Sequence, residues 1–131
     1  VLQRPLSADY LILTARTGLY QQSDFAASIV SFHEQVIGCH ALLNRARRDS
    51  ELIRGYEILE DILRGYSKII VLPYDAAAIA TFDKVAPLKP RTATMDLRIA
   101  ATAVTHGLTL LSRNRADFAG IPGLIVEDWT V

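Results

Sequence analysis

The sequence predicts one α/β domain whose mostly parallel sheet is covered by helices on both faces, and three observations carry that expectation. Short β-leaning runs alternate with helical patterns along the chain, as buried parallel sheets require. At 131 residues with 50% hydrophobic content, the chain is long enough to bury a core and too short for two ordinary domains. No internal repeat, low-complexity tract or composition shift marks a linker, so residues 1–131 read as a single domain.

The first pattern is helical. Tyr10, Leu11, Leu13, Thr14 and Leu19 follow a Pro5-Leu6-Ser7 break in which Ser7 can act as N-cap, and Gly18 supplies a stop. Phe25 to Val30 is a short β-leaning run, and Ser31-Phe32-His33-Glu34 has the S-x-x-E form of a capping box, so a strand is expected to hand over to a helix there. That helix continues through Val36, Cys39 and Leu43 into the basic stretch Asn44–Arg48, whose cations suit a helix C-terminus, with a turn near Asp49-Ser50.

From Glu51 onward Leu52, Tyr56, Leu59, Leu63 and Tyr66 form one apolar stripe at helical spacing. The two helices are expected to make a projecting hairpin. Lys68 to Pro73 reads as a buried strand closed by proline, and Asp75 as the cap of an alanine-rich helix. After the loop Pro87–Arg91, a helix opens at Met95-Asp96 and ends near His106-Gly107, where glycine supplies a left-handed cap. Leu108 to Ser112 is a strand, Asn114 to Phe118 a short capped helix, and Leu124 to Val126 a last strand.

Composition narrows the function classes. Lys plus Arg and Asp plus Glu both number 14, so no global basic field advertises a nucleic acid, and any RNA affinity must come from local arginine clusters. The single cysteine, Cys39, permits no intrachain disulfide and suits a reducing, cytoplasmic setting. No apolar run approaches the roughly 18 to 20 residues of a membrane span, and Val1 to Pro5 has no signal-peptide layout. A soluble protein is expected.

In α/β sheets ligands gather outside the carboxyl ends of the strands, where the next helices begin. Three acids stand in such turns: Glu34, Asp96 and Asp117. Carboxylates converging from separate helix starts can hold Mg²⁺ or Mn²⁺, hard cations that take oxygen ligands and keep several waters. One or two such ions, roughly 3.5 to 4 Å apart when paired, support in-line phosphodiester cleavage without a protein nucleophile. Each acid also has an ordinary explanation. Glu34 can be the N3 member of the Ser31 box, Asp96 a residue favoured by the helix dipole, and Asp117 the N3 partner of an Asn114 cap. Spacing does not decide between these roles.

Other constellations are weaker. His33 and His40 share a helix face but lie roughly 10 Å apart along its axis, too far to chelate one zinc. Cys39 has no CxxC companion and reads as core. No phosphate-binding glycine motif occurs. Arg91, Arg98, Arg113 and Arg115 flank the acids and suit phosphate contact or plain solvated surface, while Arg45, Arg47 and Arg48 read as a solvated helix end.

Several blocks resemble one family. Ser31-Phe32-His33-Glu34-Gln35, Met95-Asp96-Leu97-Arg98-Ile99-Ala100-Ala101 and Leu110-Leu111-Ser112-Arg113-Asn114-Arg115-Ala116-Asp117-Phe118 look like successive motifs of VapC-type PIN domains. Pro122-Gly123-Leu124 and Val126-Glu127-Asp128-Trp129 look like that family's ending, so the resemblance spans the chain in order. It implies a PIN-like three-layer α/β/α sandwich and an acidic centre that binds Mg²⁺ or Mn²⁺ and hydrolyses RNA. Glu34 and Asp96 match metal-site acids, Asp117 matches the later acidic position, and Asn114 is their companion. An antitoxin protein partner and a homodimer are implied as well.

One element of the family pattern is missing. Its first metal ligand is an aspartate at the end of a first strand, in a D-T-[DNS]-like motif, followed by a helix whose tail resembles Leu2-Gln3-Arg4. Asp9 precedes its apolar run and Asp24 precedes a strand, so neither replaces that acid. The expectation is that the first strand and its aspartate lie upstream of Val1, or are absent. If absent, the sheet loses a central member, the metal site loses a charge, and the fold needs a partner.

Three functions compete. The first is a metal-dependent endoribonuclease toxin of a toxin–antitoxin pair, with the activity expected of the complete protein that carries the first aspartate. The second is a degenerate PIN module retained for protein binding, and the third a phosphatase-like or DNA-cleaving site, since carboxylates do not reveal which phosphodiester they serve.

Overall fold

The structure, a computed structural model, describes residues 21–129. The Ser7-capped helix over Tyr10–Leu19, and the position of Asp9, lie outside the described residues. The alternation read from the sequence is present: β1 (Ala26–Ser28), α1 (Ile29–Arg45), α2 (Asp49–Ser67), β2 (Ile70–Leu72), α3 (Ala76–Val85), α4 (Thr94–Thr105), β3 (Leu110–Leu111), α5 (Arg115–Phe118) and β4 (Val126–Glu127). Asp24 stands in a 3-10 turn before β1, and its carboxylate accepts the Gln21 N–H at 2.7 Å, a local turn bond rather than a strand-end position.

Helix α1 starts three residues earlier than the capping-box pattern suggests. Ser28 is its N-cap, with extended backbone and a hydroxyl that accepts the Val30 N–H at 3.0 Å. Ser31 and Glu34 therefore lie inside the helix, and the box does not form. The turn between α1 and α2 is Ala46-Arg47-Arg48, while Asp49 and Ser50, expected in the turn, open α2 and place an acid at its positive end.

The two helices run antiparallel, since Phe32 near the start of α1 meets Tyr66 near the end of α2 at 5.1 Å, edge to face. Midway, Gly55 lets them approach closely: a Cβ there would stand 2.5 Å from Leu43 Cδ2. The Cys39 thiol donates to the Gly55 carbonyl at 3.2 Å, which gives the lone cysteine its core role. The buried line on α2 thus runs through Gly55, Ile62 and Tyr66. Of the expected stripe only Leu59 and Tyr66 reach the seam. Leu52, Tyr56 and Leu63 are exposed, because the glycine contact rotates the helix toward Gly55 and away from those larger side chains.

The strands pair in parallel, as expected, but in two ladders. Ala26, Ala27 and Ser28 pair with Ile70, Val71 and Leu72, and Leu110 and Leu111 pair with Val126 and Glu127. Among the described residues the ladders are not joined into one sheet. The run at 68–73 is shorter and less buried than expected. Only three residues are strand and Ile70 is exposed, since β2 is paired on one side alone among the described residues. Phe25 and Trp129 meet edge to face at 6.0 Å and link the segments flanking β1 and β4.

The second core lies where α3, α4 and α5 meet. Asp75 caps α3 as expected, its Oδ1 accepting the Ala78 N–H at 3.1 Å. Ala78, Ala100 and Ala101 are fully buried, so the helices carrying them pack with little side-chain bulk between. Val85, Leu97, Ala100, Phe118 and Ile121 form the buried cluster there. Gly107, at φ +64, follows the end of α4 in the left-handed conformation that ends helices, as expected.

Candidate functional site

The first turn of α4 and the short helix α5 bring two acids together. Asp96 is the third residue of α4, whose N-cap, Ala93, has no side-chain acceptor to offer. Asp117 is the third residue of α5. Phe118, buried in the core beside Leu97, fixes α5 against α4, so acids 21 positions apart share one edge of the molecule.

Their proximity shows in their electrostatics. Partial burial pushes the Asp96 carboxyl above the usual aspartate range, and the charge of Asp117 pushes it further in the same direction. Two like charges held together in this way raise the proton affinity of one of them. A divalent ion placed between two such carboxylates would offset that repulsion.

Asp117 is held from several sides. The Asn114 side-chain amide donates to its carboxylate, while the Ser112 hydroxyl accepts the Asn114 N–H at 3.1 Å. Asn114 is N-cap by position, yet its side chain makes no bond to the backbone of the helix, so the expected cap is replaced by this side-chain pair. Thr92 Oγ1 donates to the Asp117 carbonyl at 3.1 Å, and Lys89 Nζ to the Ala119 carbonyl at 2.8 Å. Both come from the loop before α4, and no spacing pattern in the sequence pointed to them. Leu88, Pro90, Arg91 and Asp117 help to line a shallow hollow of about 270 Å³ at this place.

Glu34 stands apart from this pair in its contacts. It is exposed on α1, and its charge acts on Tyr66, whose phenol is pushed up first by burial and then by Glu34. Among the described residues no group of three or more Asp, Glu, His or Cys side chains is arranged to hold a metal. Asp96 and Asp117 nevertheless fit Mg²⁺ or Mn²⁺ chemically, since Mg²⁺ is commonly held by one or two carboxylates and keeps the rest of its shell as water.

The arginines divide. Arg98 lies 6.0 Å from the centre of the Tyr74 ring, within cation–π range, and is partly buried. Arg91, Arg113 and Arg115 are exposed, and Arg91 borders the hollow beside Asp117. Arg45, Arg47 and Arg48 are solvated at the hairpin turn, and Arg48 reaches Glu51 at 3.8 Å.

No protein-family model and no curated protein matches the sequence. Solved structures do share its fold. A chain of the DNA-bound VapBC from Salmonella typhimurium superposes with a TM-score of 0.69 at 23% identity, covering 90% of this chain and 84% of that one. VapBC-1 from nontypeable Haemophilus influenzae gives 0.74 at 19% identity, covering 92% and 87%. VapBC-5 from Mycobacterium tuberculosis, a member of the VapBC family of toxin–antitoxin systems, gives 0.59 at 18%, covering 79% and 80%. At these identities the likeness establishes the fold alone, which this chain shares with chains of VapBC complexes. Among the described residues no helix is long and apolar enough to cross a membrane.

Proposed function

We propose that this chain is the toxin of a toxin–antitoxin pair, a metal-dependent endoribonuclease that hydrolyses RNA phosphodiester bonds. The observation that carries the reading is the pairing of Asp96 and Asp117. Two acids from different elements stand close enough for one to raise the proton affinity of the other, on a fold shared with VapBC chains. The reading takes the two ladders as parts of one α/β/α sandwich, with α1 and α2 as its projecting hairpin.

Asp96 and Asp117 would hold Mg²⁺ or Mn²⁺, with Asn114 orienting Asp117 and Glu34 acting from α1. Held there, the ion would make a bound water easier to deprotonate, so that a nucleophile is available at neutral pH, and would supply positive charge for the oxygens of the displacement. Asn114 keeps the Asp117 carboxylate from rotating away. Arg91, Arg98, Arg113 and Arg115 would bind backbone phosphates, placing the scissile bond without reading bases. An antitoxin covering this edge would silence it, and pairing into a homodimer and residence in the cytoplasm belong to the same reading.

A second reading is favoured by one observation. The described residues assemble two carboxylates and no third metal-ligating side chain, as a degenerate PIN module kept for protein binding would.

Cleavage of a mixed RNA substrate decides between them. The nuclease reading expects cleavage in Mg²⁺ or Mn²⁺, stopped by EDTA and lost in Asp96→Asn and Glu34→Gln. Cleavage persisting in EDTA contradicts the metal mechanism, and no cleavage under any condition favours the binding module.

A further inference from the structure

Helix α5 cannot hold Asp117 in place by itself. It has four residues, far fewer than a helix needs for independent stability, and its terminal carbonyls have no partners within the helix. One of those carbonyls and that of the C-cap residue are met from outside: Thr92 bonds that of Asp117 itself, and Lys89 that of Ala119.

The loop that supplies these donors has a fixed shape. The Lys89 N–H bonds the Ala86 carbonyl at 3.2 Å, and the Thr92 N–H bonds the Lys89 carbonyl at 3.1 Å, so two successive turns set the loop before α4 begins. Thr92 stands four residues before Asp96 and is partly shielded from water. One short segment thus carries the first acid and clasps the backbone of the second.

The geometry points to Thr92, seconded by Lys89, as a latch that sets the Asp96–Asp117 separation at which both acids share one divalent cation. The inference rests on the two-carboxylate metal reading above. Both are positioning residues, since they act through the main chain of α5. Mg²⁺ demands near-ideal octahedral geometry, and losing an outer partner of a metal ligand typically weakens binding by about 10- to 100-fold.

The test is Mn²⁺ titration of the full chain by calorimetry, in the unaltered protein and in Thr92→Val, Thr92→Ser, Lys89→Met and Asp96→Asn. Amide hydrogen exchange across 115–119 and thermal melts accompany it. Thr92→Val keeps the shape but removes the donor. It is expected to bind Mn²⁺ about tenfold more weakly, with faster exchange in 115–119 and cooperative melting retained. Thr92→Ser restores the affinity, and Lys89→Met shows a smaller loss.

Unchanged affinity in Thr92→Val, with binding lost in Asp96→Asn, overturns the latch and leaves the metal reading standing. No binding by the unaltered chain, or full binding in Asp96→Asn, overturns the metal reading and the latch with it. If Thr92→Val fails to fold, Lys89→Met decides: weaker binding supports the latch and unchanged binding overturns it.

Discussion

The helical hairpin and the part of the molecule built from α3, α4 and α5 hold their elements together by different means. In the hairpin, one glycine brings two long helices into contact, and Cys39, Ile62 and Tyr66 fill a narrow seam. Much apolar surface stays outside, including Ile53, Tyr56 and Leu63. Around α4, buried alanines let helices meet, and a larger cluster closes over Phe118 and Ile121. The hairpin spends its sequence on helix contact, whereas the α4 region uses its core as a mount for two acids. Rigid support beneath a site matters because metal chemistry tolerates little displacement.

The largest effect expected from this difference is at Phe118. Phe118→Ala removes the side chain that seats α5 and is expected to cost about 3–5 kcal/mol in urea unfolding, together with Mn²⁺ binding. A loss of stability with metal binding intact would separate the core from the acids. Next is the glycine pair of the hairpin. Gly55→Ala forces a Cβ against Leu43 and is expected to cost about 1–3 kcal/mol. Gly38→Ala, on the same hairpin with nothing within 4 Å, is expected to gain about 0.5–1 kcal/mol. Equal effects at the two glycines would remove the close-contact account of the hairpin.

Caps should respond alike in both regions. Ser28→Ala and Asp75→Ala each lose one side-chain bond to a helix N-terminus and are expected to cost about 1 kcal/mol. Asp96 should give the smallest stability change, and its sign is informative. Its carboxyl is raised by burial and by Asp117, so the folded state holds the proton to higher pH than the unfolded state does. The resulting penalty is absent below the usual aspartate range, grows as pH rises toward the raised value, and is full above it. In metal-free buffer Asp96→Asn should therefore be slightly more stable than the parent near pH 7 and equal to it near pH 3. Solvent screening keeps the gain small. A less stable variant at neutral pH would show that Asp96 is a structural anchor.

The order of elements was legible in the sequence, because hydrophobic period and turn residues act locally: Asp75, Gly107 and the βα alternation stand where they were read. The start of α1 is ambiguous in the sequence because Ser28 and Ser31 are both competent caps, and only the strand ending at Ser28 selects between them. The buried face of α2 is not legible in the sequence because periodicity weighs large side chains and is blind to the packing of a glycine. Acids at helix starts are legible in the sequence, and Asp96 and Asp117 do stand within electrostatic reach of each other, whereas Glu34 lies inside α1 rather than in its first turn. Thr92 and Lys89 were not, since their bonds span 25 and 30 positions and follow from tertiary packing alone.

The central claim is that Asp96 and Asp117 serve one ion. The direct measurement is Mn²⁺ affinity and stoichiometry, read by electron paramagnetic resonance, in the parent, Asp96→Asn, Asp117→Asn and the double variant. One ion per chain, a large loss in each single variant and little further loss in the double variant is the predicted result, since residues that share a ligand are not additive. Independent, additive losses, or binding untouched by either substitution, would contradict the account.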